Sequence, residues 1–203
     1  MKLVVGLGNP GPRYAGTRHN VGFRIVERFA AERRIALDAR RFDGRFGRGR
    51  LATPGGEPLD VGLLLPETFM NRSGECVREA LRNLPVDDVA QDLLVAFDDV
   101  DLPFGRLRLR AGGGAGGHRG LTDLIACLGR EDFARLRFGV GRPVLPIDTA
   151  GWVLSRFSAE EEAALGERLG AAASALEAAL TLGVAAAMNR WNRDAAPPEA
   201  DPR

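Results

Sequence analysis

The chain has 203 residues, a length typical of one α/β domain. Apolar residues make up 45% of it and charged residues 27%, which predicts a globular protein with a buried core and excludes a chain that is disordered throughout. The net charge is only +1, so the overall charge does not indicate a nucleic-acid partner. Lys2 is the only lysine, however, and the other basic residues are arginines, which suit bidentate contacts to phosphate.

The apolar stretches indicate neither secretion nor a membrane. The run after Met1 is too short for a signal peptide, and the alanine-rich stretch 169–188 predicts a core helix rather than a membrane span. Two cysteines, Cys76 and Cys127, are too few for a disulfide framework or a thiolate metal site. We therefore expect a cytoplasmic protein without membrane association.

Predicted strands and helices alternate along the chain, a pattern typical of the α/β class. The strands are predicted over 2–7, 46–52, 59–65, 92–97, 106–110 and 133–140. The helices are predicted over 21–34, 75–84, 121–128 and 158–191, the last with a break near Gly183. Because 46–65 is predicted to form a hairpin, the sheet should be mixed. We predict a single domain over 1–193, with a twisted mixed sheet flanked by helices on both faces, and a disordered tail over 194–203.

A glycine pattern follows the first strand and raises one alternative function. The segment from Gly6 to Gly11 fits G-x-G-x-x-G, the fingerprint of dinucleotide-binding proteins. That fingerprint requires a helix to begin at the third glycine, so that its N-terminus meets the pyrophosphate. Here Pro12 follows, and helical periodicity begins only at Val21. The pattern therefore favours an irregular loop over a nucleotide site.

Candidate proton-transfer residues are few. The only histidines, His19 and His118, both lie in loops next to glycine-rich turns. Imidazole is the side chain best suited to accept a proton near neutral pH, although each ring could instead cap or pack locally. Asp98 and its neighbouring aspartates end a strand, where they form either a charged surface turn or a carboxylate that orients a histidine.

No covalent nucleophile stands out in the sequence. Cys76 lies at helical spacing with apolar residues, which predicts a buried thiol, and Ser73 is better explained as a helix N-cap. The remaining polar set suits a histidine base that activates water, with amides that donate to a developing oxyanion. The loop asparagines available for that are Asn9, Asn20 and Asn71.

A glycine-rich run over 112–117 lies between a strand and a helix, and arginines alternate on the strand before it. Such a run is either a flexible linker or a place where the backbone closely approaches a ligand. Arg106, Arg108 and Arg110 share one face of that strand, and Arg135 and Arg137 lie on the next. An arginine stripe beside a glycine loop is either a solvated surface or a phosphate-binding site.

Taken together, the motifs resemble those of bacterial peptidyl-tRNA hydrolases over about residues 2–192. The motifs, in the order and spacing of that family, are Gly6-Leu7-Gly8-Asn9-Pro10-Gly11, Thr17-Arg18-His19-Asn20-Val21-Gly22, Pro66-Glu67-Thr68-Phe69-Met70-Asn71-Arg72-Ser73-Gly74, Asp98-Asp99-Val100-Asp101-Leu102-Pro103 and the glycine-rich run 112–120. The resemblance implies a monomeric esterase that cleaves peptide from the terminal ribose of tRNA and recycles peptidyl-tRNA dropped by stalled ribosomes. It implies no metal and no organic cofactor.

The resemblance also implies roles for individual residues. His19 resembles the general base and Asp98 the acid that orients it. Asn71 resembles the amide that holds the water and the reacting carbonyl, and Asn9 the residue that separates N-blocked from free aminoacyl substrates. The residues implied to bind substrate or tRNA are Tyr14, Phe69, Asn71, His118, Arg119, Arg110 and Arg137.

Two positions depart from the family pattern. Ala115 replaces a histidine, and Arg119 replaces an asparagine that helps to bind substrate. Arginine cannot accept a hydrogen bond, so Arg119 changes this contact, although its charge suits a phosphate. Two further hypotheses remain: a non-catalytic RNA-binding protein on the same fold, and a nucleotide-dependent oxidoreductase that rests only on the glycine fingerprint.

Overall fold

A mixed β-sheet organises the chain, which the computed structural model describes over residues 1–143 and 148–193. In that part of the chain the strands are ordered β2-β3-β4-β1-β5-β7-β6. Their bounds are β1 Lys2–Gly6, β2 Ala39–Arg41, β3 Gly44–Leu51, β4 Leu59–Pro66, β5 Leu93–Asp99, β6 Leu107–Arg110 and β7 Ala134–Gly139. The neighbours β4, β1, β5 and β7 are parallel, whereas β3 and β6 run antiparallel to the strands beside them.

Helices cover both faces of the sheet, as predicted. Their bounds are α1 Val21–Glu32, α2 Ser73–Asn83, α3 Val89–Asp92, α4 Arg119–Leu128, α5 Thr149–Val153, α6 Ala159–Thr181 and α7 Val184–Trp191. Successive residues of β1 point to opposite faces, which divides the core in two. Val4 packs with α1 and α6, whereas Leu3 and Val5 pack with α2 and α4. None of the described helices combines the length and the hydropathy needed to cross a membrane.

The α/β class and the single mixed sheet are therefore confirmed, and most element bounds differ from the predictions by only a few residues. The three short elements β2, α3 and α5 were not predicted, because three to five residues are too few to show a period. The assignment of Ser73 as an N-cap is wrong. Ser73 is the first helical residue of α2, and its hydroxyl donates to the carbonyl of Met70. The predicted tail, 194–203, lies outside the described residues.

The N-terminus of α1 packs directly on the carboxyl ends of β1 and β5. A Cβ atom on Gly22 would lie 2.5 Å from the carbonyl oxygen of Leu7 and would also collide with that of Ala96. Only glycine allows this approach, because any other side chain would force the helix away from the sheet. The same packing sets the position of His19, which lies in the short 3-10 turn Arg18–Asn20 just before α1.

Arg18 ties that turn to the far end of the chain. Its guanidinium is buried, stacks 3.8 Å from the ring of Trp152, and donates to Ser155 Oγ and to the carbonyl of Arg156. It also pairs with Glu161, whose carboxylate completes the capping box at the start of α6. The turn before α1 is therefore anchored to α5, α6 and the segment between them.

Candidate active site

The loops that follow the carboxyl ends of the parallel strands surround one large cleft, the usual location of a site in an open α/β sheet. It has a volume of about 1070 Å³. The ten residues to which the family resemblance gives a role all line it: Asn9, Tyr14, His19, Phe69, Asn71, Asp98, Arg110, His118, Arg119 and Arg137. Residues from five separate parts of the chain therefore meet in one place.

His19 and Asp98 form a buried hydrogen-bonded pair at the base of the cleft. Nδ1 of His19 lies 2.8 Å from Oδ1 of Asp98. Burial alone raises the pKa of the Asp98 carboxyl, but the two neighbouring imidazoles outweigh burial and hold that pKa well below its usual range. An ionised Asp98 accepts the hydrogen bond, so the proton of neutral His19 lies on Nδ1. Nε2 then keeps its lone pair, and no described residue hydrogen-bonds to it.

His118 also donates to Asp98. Its Nε2 lies 3.0 Å from the same oxygen, Oδ1, that His19 contacts. Its other nitrogen, Nδ1, accepts a hydrogen bond of 3.1 Å from the backbone N–H of Leu121 and so caps the N-terminus of α4. The two imidazole rings pack with their centroids 4.9 Å apart. One carboxylate oxygen therefore joins two rings, of which only that of His19 keeps a nitrogen without a hydrogen bond.

Asn9 is held in one orientation by the protein. Its Oδ1 accepts from the backbone N–H of Met70 at 2.8 Å, and its own backbone N–H donates to Oδ1 of Asn20 at 2.9 Å. The Asn20 amide donates in return to the carbonyl of Asn9. Because these contacts occupy the side-chain oxygen, the Nδ2 amino group of Asn9 is left as a donor at the cleft. Sequence reasoning had placed Asn20 among the possible oxyanion donors, whereas here it braces the backbone of Asn9.

The side chains at the mouth of the cleft are more exposed than those at its base. Asn71 is exposed, and its amide makes no hydrogen bond within the described chain. Phe69 is 57% exposed and Leu154 is 45% exposed, which is unusual for large apolar side chains that line a cleft. Tyr14 is half-buried beside them. These groups form an apolar and aromatic rim on which a base or an apolar side chain can pack.

Arginines line the side of the cleft formed by β6 and β7. Arg110 pairs in register with Arg135, and Arg108 with Arg137, so all four share one face of the sheet. Arg137 is paired with Asp99, and Arg135 donates to the carbonyl oxygens of Gly114 and Glu131. Arg110 is exposed and has no ion pair within the described residues. Of the three that line the cleft, Arg110, Arg135 and Arg137, Arg110 therefore has the least compensated charge.

Arg119 begins α4 at the edge of the cleft and is exposed. It lines the cleft and has no ion pair in the described part of the chain. Ala115, the second departure from the family pattern, packs partly buried against the core on the α4 face.

Sequence reasoning missed one wall of the cleft. That wall is formed by three residues of α5 and the residue that follows it: Thr149, Ala150, Val153 and Leu154. Arg18 holds this region beside His19 through its contact with Trp152. No local signal identifies this wall, because a helix of five residues shows no period and the partners of Arg18 lie far along the chain. The backbone N–H of Met70, which fixes the Asn9 side chain, was also missed, because the two residues lie far apart in the sequence.

His19, Asp98 and His118 are also the one group among the described residues whose side chains could together hold a metal ion, since their ligand atoms lie within 4.8 Å of one another. Two imidazoles and a carboxylate are ligands that zinc or iron accepts. Here, however, the nitrogens that face Asp98 Oδ1 lie at hydrogen-bond distances of 2.8 and 3.0 Å. A metal ion would have to displace both bridging protons, so the geometry favours a hydrogen-bonded triad.

The two side chains set aside as nucleophiles are poorly placed for that chemistry. Cys76 is buried in α2, and burial raises the pKa of its thiol to about 12. Ser73 is buried with its hydroxyl bonded to Met70. The structure also argues against a dinucleotide site, because α1 begins at Val21 and not at Gly11, where its N-terminus would meet the pyrophosphate. Water activated by a histidine is the chemistry that this set of groups supports.

Comparisons with known proteins agree with this chemistry. The family model for peptidyl-tRNA hydrolase matches residues 3–199. The peptidyl-tRNA hydrolase of Symbiobacterium thermophilum is 48% identical over 94% of this chain and 98% of that protein, and that of Syntrophotalea carbinolica is 45% identical over 95% and 97%. The crystal structure of peptidyl-tRNA hydrolase from Acinetobacter baumannii superposes with a TM-score of 0.84 at 38% identity, covering 95% of this chain and 94% of that one. The chain belongs to the peptidyl-tRNA hydrolase family.

Proposed function

We propose that this protein hydrolyses the ester bond between a peptide and the 3′-terminal ribose of tRNA. The observation that carries the proposal is the 2.8 Å contact between His19 Nδ1 and ionised Asp98 at the base of the cleft, which leaves His19 Nε2 available as a base. Membership in the family and the free amides around the pair support the same reaction.

In the proposed reaction, His19 Nε2 removes a proton from a water molecule as the water oxygen attacks the ester carbonyl. The imidazolium that forms is stabilised by the carboxylate of Asp98. The amide of Asn71 and the Nδ2 group of Asn9 donate hydrogen bonds to the oxyanion and to the N-blocking carbonyl of the peptide. The bond to the ribose oxygen then breaks, and that oxygen takes the proton from His19. The second water proton stays on the new carboxyl group and passes to solvent, so a peptide carboxylate and a tRNA with a free ribose hydroxyl leave the site.

The rim of the cleft supports binding of the tRNA end. A single-stranded RNA terminus is usually recognised by stacking its bases on aromatic rings, and Phe69 and Tyr14 offer such rings at the mouth. Arg110, Arg137 and Arg119 line the same cleft and suit the phosphates of that terminus. Because Arg137 shares its charge with Asp99, we assign the larger phosphate contribution to Arg110.

We further propose that the protein acts without a cofactor, as a cytoplasmic monomer that recycles tRNA from the peptidyl-tRNA released by stalled ribosomes. Each described polar group of the proposed reaction comes from this one chain, which supports a complete site in a single copy. The near-zero net charge is compatible with a polyanionic substrate, because the cleft itself is lined by five arginines, Arg110, Arg119, Arg135, Arg137 and Arg142.

The decisive experiment measures deacylation of N-acetyl-aminoacyl-tRNA by the wild-type protein and by two variants, His19→Ala and His19→Asn. Asparagine retains a donor near the position of Nδ1, and so retains the contact to Asp98, but it has no basic nitrogen. We expect both variants to lose about 100- to 10,000-fold in kcat, the usual contribution of a general base, with an unchanged fold by circular dichroism.

Two outcomes would contradict the proposal. Tight binding of the tRNA substrate by the wild-type protein without turnover would favour the non-catalytic RNA-binding hypothesis. A His19→Asn variant with more than about a tenth of wild-type kcat would show that His19 is not the base. Free aminoacyl-tRNA serves as the control substrate, because Asn9 is expected to select against a free amino group.

A further inference from the structure

Both ring nitrogens of His118 are engaged inside the protein. Nε2 lies 3.0 Å from Asp98 Oδ1, and Nδ1 accepts the backbone N–H of Leu121 at 3.1 Å. The side chain is only 7% exposed, and its ring packs edge-on against Phe97 at a centroid distance of 4.9 Å. A residue whose main task is to bind substrate would keep a polar atom free for it, and His118 keeps none.

The N-cap contact fixes which nitrogen of His118 carries the proton. The amide of Leu121 can only donate, so Nδ1 must present its lone pair and the proton must lie on Nε2. Protonation of Nδ1 would bring two N–H groups face to face and would remove the cap of α4. His118 is therefore held as the neutral Nε2–H tautomer, the reverse of the tautomer that Asp98 selects in His19.

We propose that His118 is a positioning residue that, by sharing Asp98 Oδ1 with His19, fixes this carboxylate and limits how strongly it retains a proton on His19. This inference rests on the proposed function of His19 as the base. The hydrogen bond from His118 stabilises the charged form of Asp98, which makes this oxygen a weaker partner for a second donor and keeps the His19–Asp98 interaction below its full strength. Without that restraint, Asp98 would bind the Nδ1–H group of His19 more strongly.

The other charged groups around the triad are either paired or exposed. Asp99, next to Asp98 on β5, is paired with Arg137 of β7. Arg18, next to His19, is paired with Glu161 of α6, and Arg119, which follows His118, is exposed. The two imidazoles are accordingly the neighbours that oppose the effect of burial on Asp98.

Two variants separate the two contacts of His118. Asparagine places its carbonyl near the position of Nδ1, so His118→Asn keeps the cap of α4 but cannot reach Asp98. Glutamine places its amide near the position of Nε2, so His118→Gln keeps a donor to Asp98 but loses the short cap. For His118→Asn we expect an unchanged melting temperature, a roughly tenfold lower kcat, and an acid limb of kcat/KM moved up by as much as about one pH unit. For His118→Gln we expect the opposite pattern, with a wild-type acid limb and a melting temperature about 2–4 °C lower.

A ring-nitrogen NMR experiment tests the tautomers without any activity. Two-bond proton–nitrogen spectra of the wild-type protein should show His118 as the Nε2–H form throughout the pH range in which His19 titrates. The titration of His19 in the same spectra should move to higher pH in His118→Asn. If the protein proves inactive on peptidyl-tRNA, the function proposal fails while these spectra still decide the role of His118.

Several results would overturn the inference. A raised KM in both His118→Asn and His118→Gln, with the acid limb and the His19 titration left in place, would assign His118 to substrate binding. Spectra in which His118 carries its proton on Nδ1, or titrates together with His19, would disprove the locked tautomer.

Discussion

The shared oxygen of Asp98 makes Asp98→Asn an unusually clean test of charge. In most histidine–aspartate pairs, an amide can rotate so that its NH2 group faces the histidine and reverses the tautomer. Here both His19 and His118 donate to the same position, Oδ1, at 2.8 and 3.0 Å. The amide oxygen is the only atom of asparagine that can accept both, so we expect it to occupy that position. The substitution then removes the negative charge and leaves the tautomers unchanged.

The size of the effect follows from Coulomb's law. At a separation of about 4 Å between the carboxylate and the centre of the imidazolium charge, an effective dielectric constant of about 20 gives about 4 kcal/mol. The amide oxygen returns about 1 kcal/mol through the hydrogen bond that it still accepts. The net loss of about 3 kcal/mol in imidazolium stabilisation corresponds to a fall in kcat of about 100- to 300-fold.

Single-turnover deacylation of N-acetyl-aminoacyl-tRNA measures this loss separately from product release. The acid limb of kcat/KM should move to lower pH, because a neutral residue no longer favours the charged form of His19. This direction is opposite to that expected for His118→Asn, so the two variants control for each other. A loss below about fivefold would refute the electrostatic role of Asp98. A loss above about 10,000-fold would show that the amide has rotated and that the tautomer was reversed.

Two further predictions concern packing and binding. Gly22→Ala should lower the free energy of unfolding by about 3 kcal/mol in urea titrations, because its Cβ would collide with Leu7 and Ala96. The control is Gly166→Ala in α6, whose Cβ would meet no atom within 4 Å and which should raise that free energy by about 1 kcal/mol. Equal effects of the two substitutions would contradict the close approach of α1 to the sheet. Arg110→Ala should flatten the slope of log affinity for tRNA against log salt by about 0.7–0.9. The control is Arg48→Ala on β3, which breaks the pair with Asp60 of β4 and should leave the slope unchanged. An unchanged slope for Arg110→Ala would make the arginine face a solvated surface.

Sequence reasoning located the elements whose pattern extends over several turns or strand residues. The helix that begins at Val21 has a continuous apolar face, and the buried strand before Asp98 is almost wholly apolar, so both could be placed within about two residues. The strand proved longer at its end, since Asp98 and Asp99 still pair with β7. Polar residues had suggested a turn there, but a hydrogen-bonded partner strand overrides that local preference.

The contacts that give the site its geometry could not be predicted in the same way. His19 and Asp98 are 79 residues apart in the chain, and only the fold shows that His118 contacts the same oxygen. The resemblance to a family supplied the residues of the site, but not the hydrogen bond that Leu121 donates to His118. That bond depends on where α4 begins, and helix termini are the positions that sequence patterns define least well.

The tether formed by Arg18 has a consequence for how the protein is made. Thr17, just before the turn that carries His19, forms an isolated β-bridge with Arg156. Arg18, within the turn, binds Glu161, which lies 143 residues further along the chain. During synthesis, these partners leave the ribosome only after most of the chain has been translated. Earlier in synthesis the nascent chain, itself a peptide esterified to tRNA, therefore lacks the anchors that set its own candidate base. The candidate site is thus expected to assemble only when the polypeptide is nearly complete.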